Sequence, residues 1–165
     1  MKILVDADSC PKLARELVLR RAAKLKIRII FAANHAIPVW TEEEPDKPVA
    51  EMEICPNTDN SADDRLVELA EKGDLALTRD VPLAKRLVEK DTFVLDDRGR
   101  VFTKNNINEL LSLRNFTVGL ADNGLEFERT ANYSKKDFKT FADSLDRLLT
   151  KMLKYPLQDT VPLSV

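Results

Sequence analysis

Lys2-Ile3-Leu4-Val5-Asp6 and Ile27-Arg28-Ile29-Ile30-Phe31-Ala32-Ala33 decide the fold. Both runs are short, apolar and rich in β-branched or aromatic side chains, the pattern of strands covered on both faces. Between them, from Pro11, Leu13, Ala14, Leu17, Val18, Ala22 and Leu25 keep helical spacing, while Arg15, Arg20, Arg21 and Lys24 fall largely on the other face. Ser9 is placed to cap that helix. A strand, a helix and a strand with short connections form a parallel crossover unit.

The same alternation continues. Residues 34–48 carry Pro38, Pro45, Pro48 and Glu42-Glu43-Glu44 and read as a loop, and residues 49–55 as a third strand. Ser61 is placed to cap a helix over 61–70 whose early acids suit the positive end of its dipole. Residues 74–78 read as a fourth strand, 82–90 as a helix with Pro82 in its first turn, 92–95 as a fifth strand and 100–103 as a short extra one. Asn105 or Asn106 opens a helix to about Leu113, and 115–134 is expected to be irregular. Phe138, Phe141, Ala142, Leu145, Leu148, Leu149 and Met152 step by three or four, one apolar helical stripe. The expected architecture is α/β, a mostly parallel sheet of about five strands flanked by helices.

With 44% hydrophobic and 33% charged side chains, the 165 residues suit one domain, expected at 1–154 with a tail at 155–165. A chain of this size buries about 70% of its unfolded surface and needs no disulfide or metal staple. Cys10 and Cys55 lack C-x-x-C spacing, and His35 is the single histidine, so the usual zinc ligand sets are missing. Four glycines stand too far apart for a P-loop or a dinucleotide turn. A formal charge of −2 argues against a protein that coats nucleic acid, although local basic patches can still bind it. No stretch reads as a secretory signal or a membrane span, so a cytoplasmic location is expected.

In open parallel sheets, ligands sit beyond the carboxyl ends of the strands, near the point where strand order reverses. Asp6 and Asp8 follow the first strand, Asp63 and Asp64 open the helix after the third, and Thr78, Arg79 and Asp80 follow the fourth. Carboxylates gathered from separate segments repel one another, which a hard divalent cation relieves. Oxygen ligands without histidine favour Mg²⁺ or Mn²⁺ over zinc, and such ions hold phosphates and activate water. The ordinary role of acids at helix starts is to cap them. Asn34 ends the second strand, where it either forms a turn or bonds Asp6 or a phosphate. Cys10 is expected to be structural, and His35 a loop residue.

Ile3-Leu4-Val5-Asp6-Ala7-Asp8-Ser9-Cys10-Pro11, Ala33-Asn34, Ser61-Ala62-Asp63-Asp64 and Gly73-Asp74-Leu75-Ala76-Leu77-Thr78-Arg79-Asp80-Val81-Pro82-Leu83-Ala84 resemble, in order, the YaiI/YqxD family of bacterial proteins. The likeness runs from Lys2 to about Arg114, and Ser134-Lys135-Lys136-Asp137-Phe138 resembles the family's closing helix. The resemblance implies a PIN-like, Rossmann-like domain and a metal-dependent ribonuclease site. By position its acids are Asp6, Asp63 or Asp64, and Asp80 with Thr78, and its ion is Mg²⁺ or Mn²⁺. Two departures stand out: Asn57-Thr58-Asp59-Asn60 lacks the family's usual glycine, and residues 120–132 lack its Gly-Pro segment.

The expected site is therefore Asp6, Asp8, Asp63 and Asp80 in catalysis, Asp6, Asp63, Asp64 and Asp80 around the ion, and Asn34, Thr78, Arg79, Arg86 and Arg100 toward an RNA substrate. Residues 40–64 hold nine acids and one lysine, whereas 135–154 hold six basic residues and three acids. Self-association into a homo-oligomer is compatible with the sequence. Two other readings compete: a PIN-like module that binds RNA or protein without turnover, and a haloacid-dehalogenase-like phosphatase with Asp6 and Asp8 as nucleophile and acid and Asp96-Asp97 as its late acid pair.

Overall fold

The computed structural model describes residues 1–37, 50–124 and 132–155. Most of the proline- and glutamate-bearing loop, residue 49, the larger part of the 120–132 segment and nearly all of the tail lie outside the described residues. The elements follow the order β1 (Lys2–Asp6), α1 (Lys12–Leu25), β2 (Arg28–Ala33), β3 (Ala50–Ile54), α2 (Ser61–Leu69), β4 (Leu75–Leu77), α3 (Val81–Glu89), β5 (Phe93–Leu95), β6 (Val101–Phe102), α4 (Ile107–Asp122) and α5 (Lys135–Lys154).

One six-stranded sheet runs β3-β2-β1-β4-β5-β6. The first five strands are parallel and β6 returns antiparallel against β5. The expected fold class holds, with the short stretch after Gly99 supplying the sixth strand. β1 is fully covered because alternate side chains feed two cores: Ile3 and Val5 pack with α1 and α5, and Leu4 packs with α2, α3 and the start of α4. Strand order reverses between β1 and β4, whose register pairs Val5 with Leu77. Asp6 and Thr78 therefore leave the sheet side by side at its carboxyl edge.

Two caps differ from expectation. The residue preceding α1 is Pro11, with no side-chain cap; Ser9 Oγ donates instead to Asp6 Oδ2 at 2.9 Å. α2 starts at Ser61 itself, after a left-handed Asn60, and the Ser61 hydroxyl reaches Asn34 Oδ1 at 3.1 Å. In both places the serine hydroxyl donates across the loop to a carboxylate or amide oxygen, and its oxygen accepts no N–H of the helix that follows. α5 does carry a capping box, Ser134 with Asp137.

α4 also corrects the sequence reading, because it continues through Asp122 where residues from 115 were expected to be irregular. Ile107 is its one fully buried residue, and Leu113 and Phe116 are 60% and 64% exposed. A helix that runs past the sheet has no core to impose a 3.6-residue pattern, so the backbone is helical while the hydrophobic period is weak. The final helix is longer than its apolar stripe at both ends.

Candidate active site

The parallel strands end in loops that gather Asp6, Asp8, Ser9, Asn34, Asp63, Arg79 and Asp80, with Asn60, Ser61 and Ala62, around one cavity of about 370 Å³. Asp6 lies at its floor, 6% exposed. Its Oδ2 accepts the hydroxyl of Thr78 at 2.8 Å and that of Ser9 at 2.9 Å. Thr78 Oγ1 in turn accepts the backbone N–H of Asp80 at 3.0 Å. One buried threonine thus links the ends of β1 and β4 to the start of α3.

Asp80 caps α3, its Oδ1 accepting the Leu83 N–H at 3.0 Å, so it serves the helix and the cavity wall together. Asp63 occupies the first turn of α2. Burial, and then the charges of Asp80 and Asp6, push its carboxyl up to about 6. Burial also raises Asp6, opposed by the two hydroxyl bonds and reinforced by Asp8 and Asp80. The carboxylates therefore share one field, and the cavity favours added positive charge.

Asp8 lies at the rim and holds the end of β2. Its Oδ2 accepts the Asn34 N–H at 3.2 Å, and its Oδ1 stands 3.4 Å from His35 Nδ1. His35 is the exposed loop residue expected, with Asp8 as a partner that its sequence neighbours do not reveal. Asn34 reaches Ser61 and not Asp6, tying β2 to α2 while its side chain lines the cavity.

Of the remaining expected residues, Asp64, Thr78, Arg86 and Arg100 stand apart from the cavity wall. Asp64 turns outward to Arg86, 2.8 Å away. Thr78 is buried behind Asp6. Arg100 is exposed beside the β5–β6 turn, where its backbone N–H donates to Asp96 Oδ1. Arg79 does line the cavity and is held from behind by the buried Asp97. Asp96 accepts the N–H groups of Arg98 and Arg100 within its own turn. Asp96 thus serves its own turn, and Asp97 holds Arg79 beside Ser9 and Thr78.

Sequence reasoning missed Ser9 and Ser61 as wall residues and Asp97 as the partner of Arg79. Only Ser9 left a signal, three residues after Asp6 in the loop that follows β1. Cys10 is buried, and burial, with the nearby Asp97 charge, pushes its thiol up to about 12, so it stays protonated and structural as expected.

The donor set suits a hard divalent cation, since the acidic wall is carboxylate alone. Among the described residues, no three His, Cys, Asp or Glu side chains stand close enough to ligate one ion. The fit is one of donor chemistry and charge, in a cavity open wider than a closed coordination shell.

The profile of the uncharacterised YaiI/YqxD family matches residues 4–151. The chain belongs to this family. It is similar to the UPF0178 protein of Treponema denticola, 47% identical over 93% of this chain and 95% of that one. The UPF0178 protein of Myxococcus xanthus is 41% identical over 93% of this chain and 97% of its own, and that of Stutzerimonas stutzeri 40% over 92% and 97%. No solved structure matches the chain. No helix among the described residues of this YaiI/YqxD protein is long and apolar enough to cross a membrane.

Proposed function

We propose that this YaiI/YqxD protein is a PIN-like, Mg²⁺- or Mn²⁺-dependent nuclease that hydrolyses phosphodiesters, with RNA as its substrate. The observation that carries the reading is the convergence of Asp6, Asp8, Asp63 and Asp80, from three separate loops, on one cavity at the reversal of strand order. Burial, reinforced by the charges of neighbouring acids, raises the proton affinity of Asp6 and Asp63 there, which capping alone does not require.

Asp6, Asp63 and Asp80 would supply carboxylate oxygens to the ion, no three of them at once, with water filling the rest of its shell; when bound it supplies Lewis acidity toward the phosphodiester and toward water. Thr78 and Ser9 fix one oxygen of Asp6 and set its orientation. Asp63, whose carboxyl burial and then the charges of Asp80 and Asp6 push up to about 6, is the acid that an added cation relieves most. Arg79 and the Asn34 amide line the same wall and are placed to meet phosphate oxygens. Asp8 supports the site by holding the Asn34–His35 loop.

The test is turnover of mixed single-stranded and structured RNA by the full chain with Mn²⁺, compared with its Asp6→Asn variant at several protein concentrations. Cleavage that scales with wild-type protein and vanishes in the variant supports the reading. Metal and RNA binding without cleavage would favour the non-catalytic module. A tight complex with beryllium fluoride, which mimics an aspartyl phosphate, would favour the phosphatase.

A further inference from the structure

The two sides of the cavity differ in how their charges are paired. On one side lie β3 and α2, where Glu51, Glu53 and Asp64 pair with Arg28, Arg65 and Arg86. On the other side lie β5, β6 and α5 as far as Arg147. β4 and β6 are two strand spacings apart, about 10 Å.

That second side is built as one surface. The β5–β6 turn passes Gly99 against α5 so closely that a Cβ there would come 2.7 Å from the Thr140 carbonyl oxygen, and its φ of +89° also requires glycine. Ser144 Oγ donates to Gly99 O at 2.8 Å. On α5, Lys136 lies one turn before Thr140, whose hydroxyl donates to the Lys136 carbonyl. Arg147 reaches Ser144 Oγ with its Nη2 at 3.5 Å. Lys136 and Arg147 therefore flank the seat of the turn, and Arg100 projects from the turn itself. Asp97 and Asp137 offset Arg79 and Arg98, but Arg100, Lys136 and Arg147 form no ion pair among the described residues. All three are exposed, and the turn that carries Arg100 follows Asp97, which holds Arg79 at the cavity edge.

We propose that a single-stranded polynucleotide leaves the cavity over the β5–β6 turn, its phosphodiesters seated on Arg100, Lys136 and Arg147, the side where cations stand without ion partners and not the side of β3, where arginines and acids pair. This rests on the nuclease reading of the cavity and adds the direction in which substrate extends. The ligand chemistry is a chain of phosphodiesters, whether of RNA or of DNA, since the surface offers cations and few free aromatic faces on which bases could stack.

The experiment uses the full chain in EDTA and low salt, with dye-labelled oligouridylate and oligodeoxythymidylate of about 20 nucleotides, longer than the roughly 4–16 nucleotides of common single-strand sites. Fluorescence anisotropy gives the affinity of wild type, of the triple variant Arg100→Glu/Lys136→Glu/Arg147→Glu, and of Lys24→Glu, the same charge change at the opposite edge of the sheet. The triple variant is expected to bind at least about 10-fold more weakly and to lose about 2 from the log–log salt slope, three contacts at roughly 0.7 each. Lys24→Glu should stay within about 2-fold of wild type. The milder Arg100→Gln/Lys136→Gln pair should lose about 1.4 from the slope and serves where the triple variant melts early. Equal affinity for the two oligomers supports a surface that reads phosphates alone; tighter RNA binding supports an added 2′-hydroxyl contact. Equal weakening by Lys24→Glu and the triple variant, or no binding by wild type, overturns the proposal. No turnover is needed for this readout, so binding without cleavage would remove the nuclease reading and leave the surface standing.

Discussion

Thr78 donates its hydroxyl to Asp6 at 2.8 Å across the junction of β1 and β4, from a position only 3% exposed. The same oxygen accepts the N–H of Asp80, so one hydroxyl carries the geometry of two cavity acids. Thr78→Val keeps the shape and removes both bonds, leaving Asp6 Oδ2 with the Ser9 hydroxyl alone and the Asp80 amide without its acceptor. A loss of about 2–3 kcal/mol in urea unfolding is expected. Thr78→Ser, which keeps the hydroxyl, should lose only about 1 kcal/mol for its methyl group. Equal losses in the two variants would mean that the hydroxyl holds neither acid.

Asp63 sets a pH dependence whose sign is fixed by its raised carboxyl. The folded chain keeps a proton on Asp63 up to about pH 6, whereas an unperturbed carboxyl releases it near 3.8. Stability from this group is therefore present below about pH 4, falls as pH rises through the window to 6, and remains lost above it. Asp63→Asn should flatten that slope and stabilise the metal-free protein at pH 7 by about 1–2 kcal/mol, a figure reduced for the solvent that reaches the site. Below pH 4 the two proteins should be alike. Denaturant midpoints from pH 3.5 to 8 check it, and a variant that is less stable at pH 7 contradicts the crowding of charge.

Arg79 and Asp97 should respond unequally to substitution. Asp97 is buried and Arg79 is half-exposed, so Arg79→Met leaves a buried charge without its partner while Asp97→Asn leaves an arginine that water can reach. The first should cost about 2–4 kcal/mol and the second distinctly less. Thermal and urea unfolding of both proteins decide it; an equal cost would show that the pair is no more than a surface contact.

How much of this was legible in the sequence follows from what each feature depends on. β1, α1 and β2 could be read because each is defined by its own run of side chains, and Asp6 could be placed because it ends a strand that must be buried. Asp63 and Asp64 could not be separated. They are one helical step apart, and which of them faces the cavity depends on how α2 sits against α3, where Arg86 claims Asp64. Arg79 and Asp97 lie eighteen residues apart and meet because β4 pairs with β5, a consequence of topology that no local pattern carries. Asp80 was legible as both a cap and a cavity acid, and it is both. The far half of α4 was illegible because it lacks the buried face from which helices are read.

The account rests on the cavity being a divalent-cation site, and the most direct measurement is the melting temperature of wild type and Asp6→Asn across millimolar Mn²⁺, with Asp122→Asn, at the end of α4, as the control. An ion that binds only the folded cavity stabilises it by roughly 2.7 kcal/mol at 100 times its dissociation constant. Wild type and Asp122→Asn should therefore melt several degrees higher with Mn²⁺ and return with EDTA. Asp6→Asn, whose amide is a poor ligand for a hard cation, should melt at or above the metal-free wild type and show no Mn²⁺ response. A wild-type curve that stays flat across that range, or an Asp6→Asn protein that is several kcal/mol weaker yet still responds to Mn²⁺, would contradict it and leave these acids as caps and dipole partners.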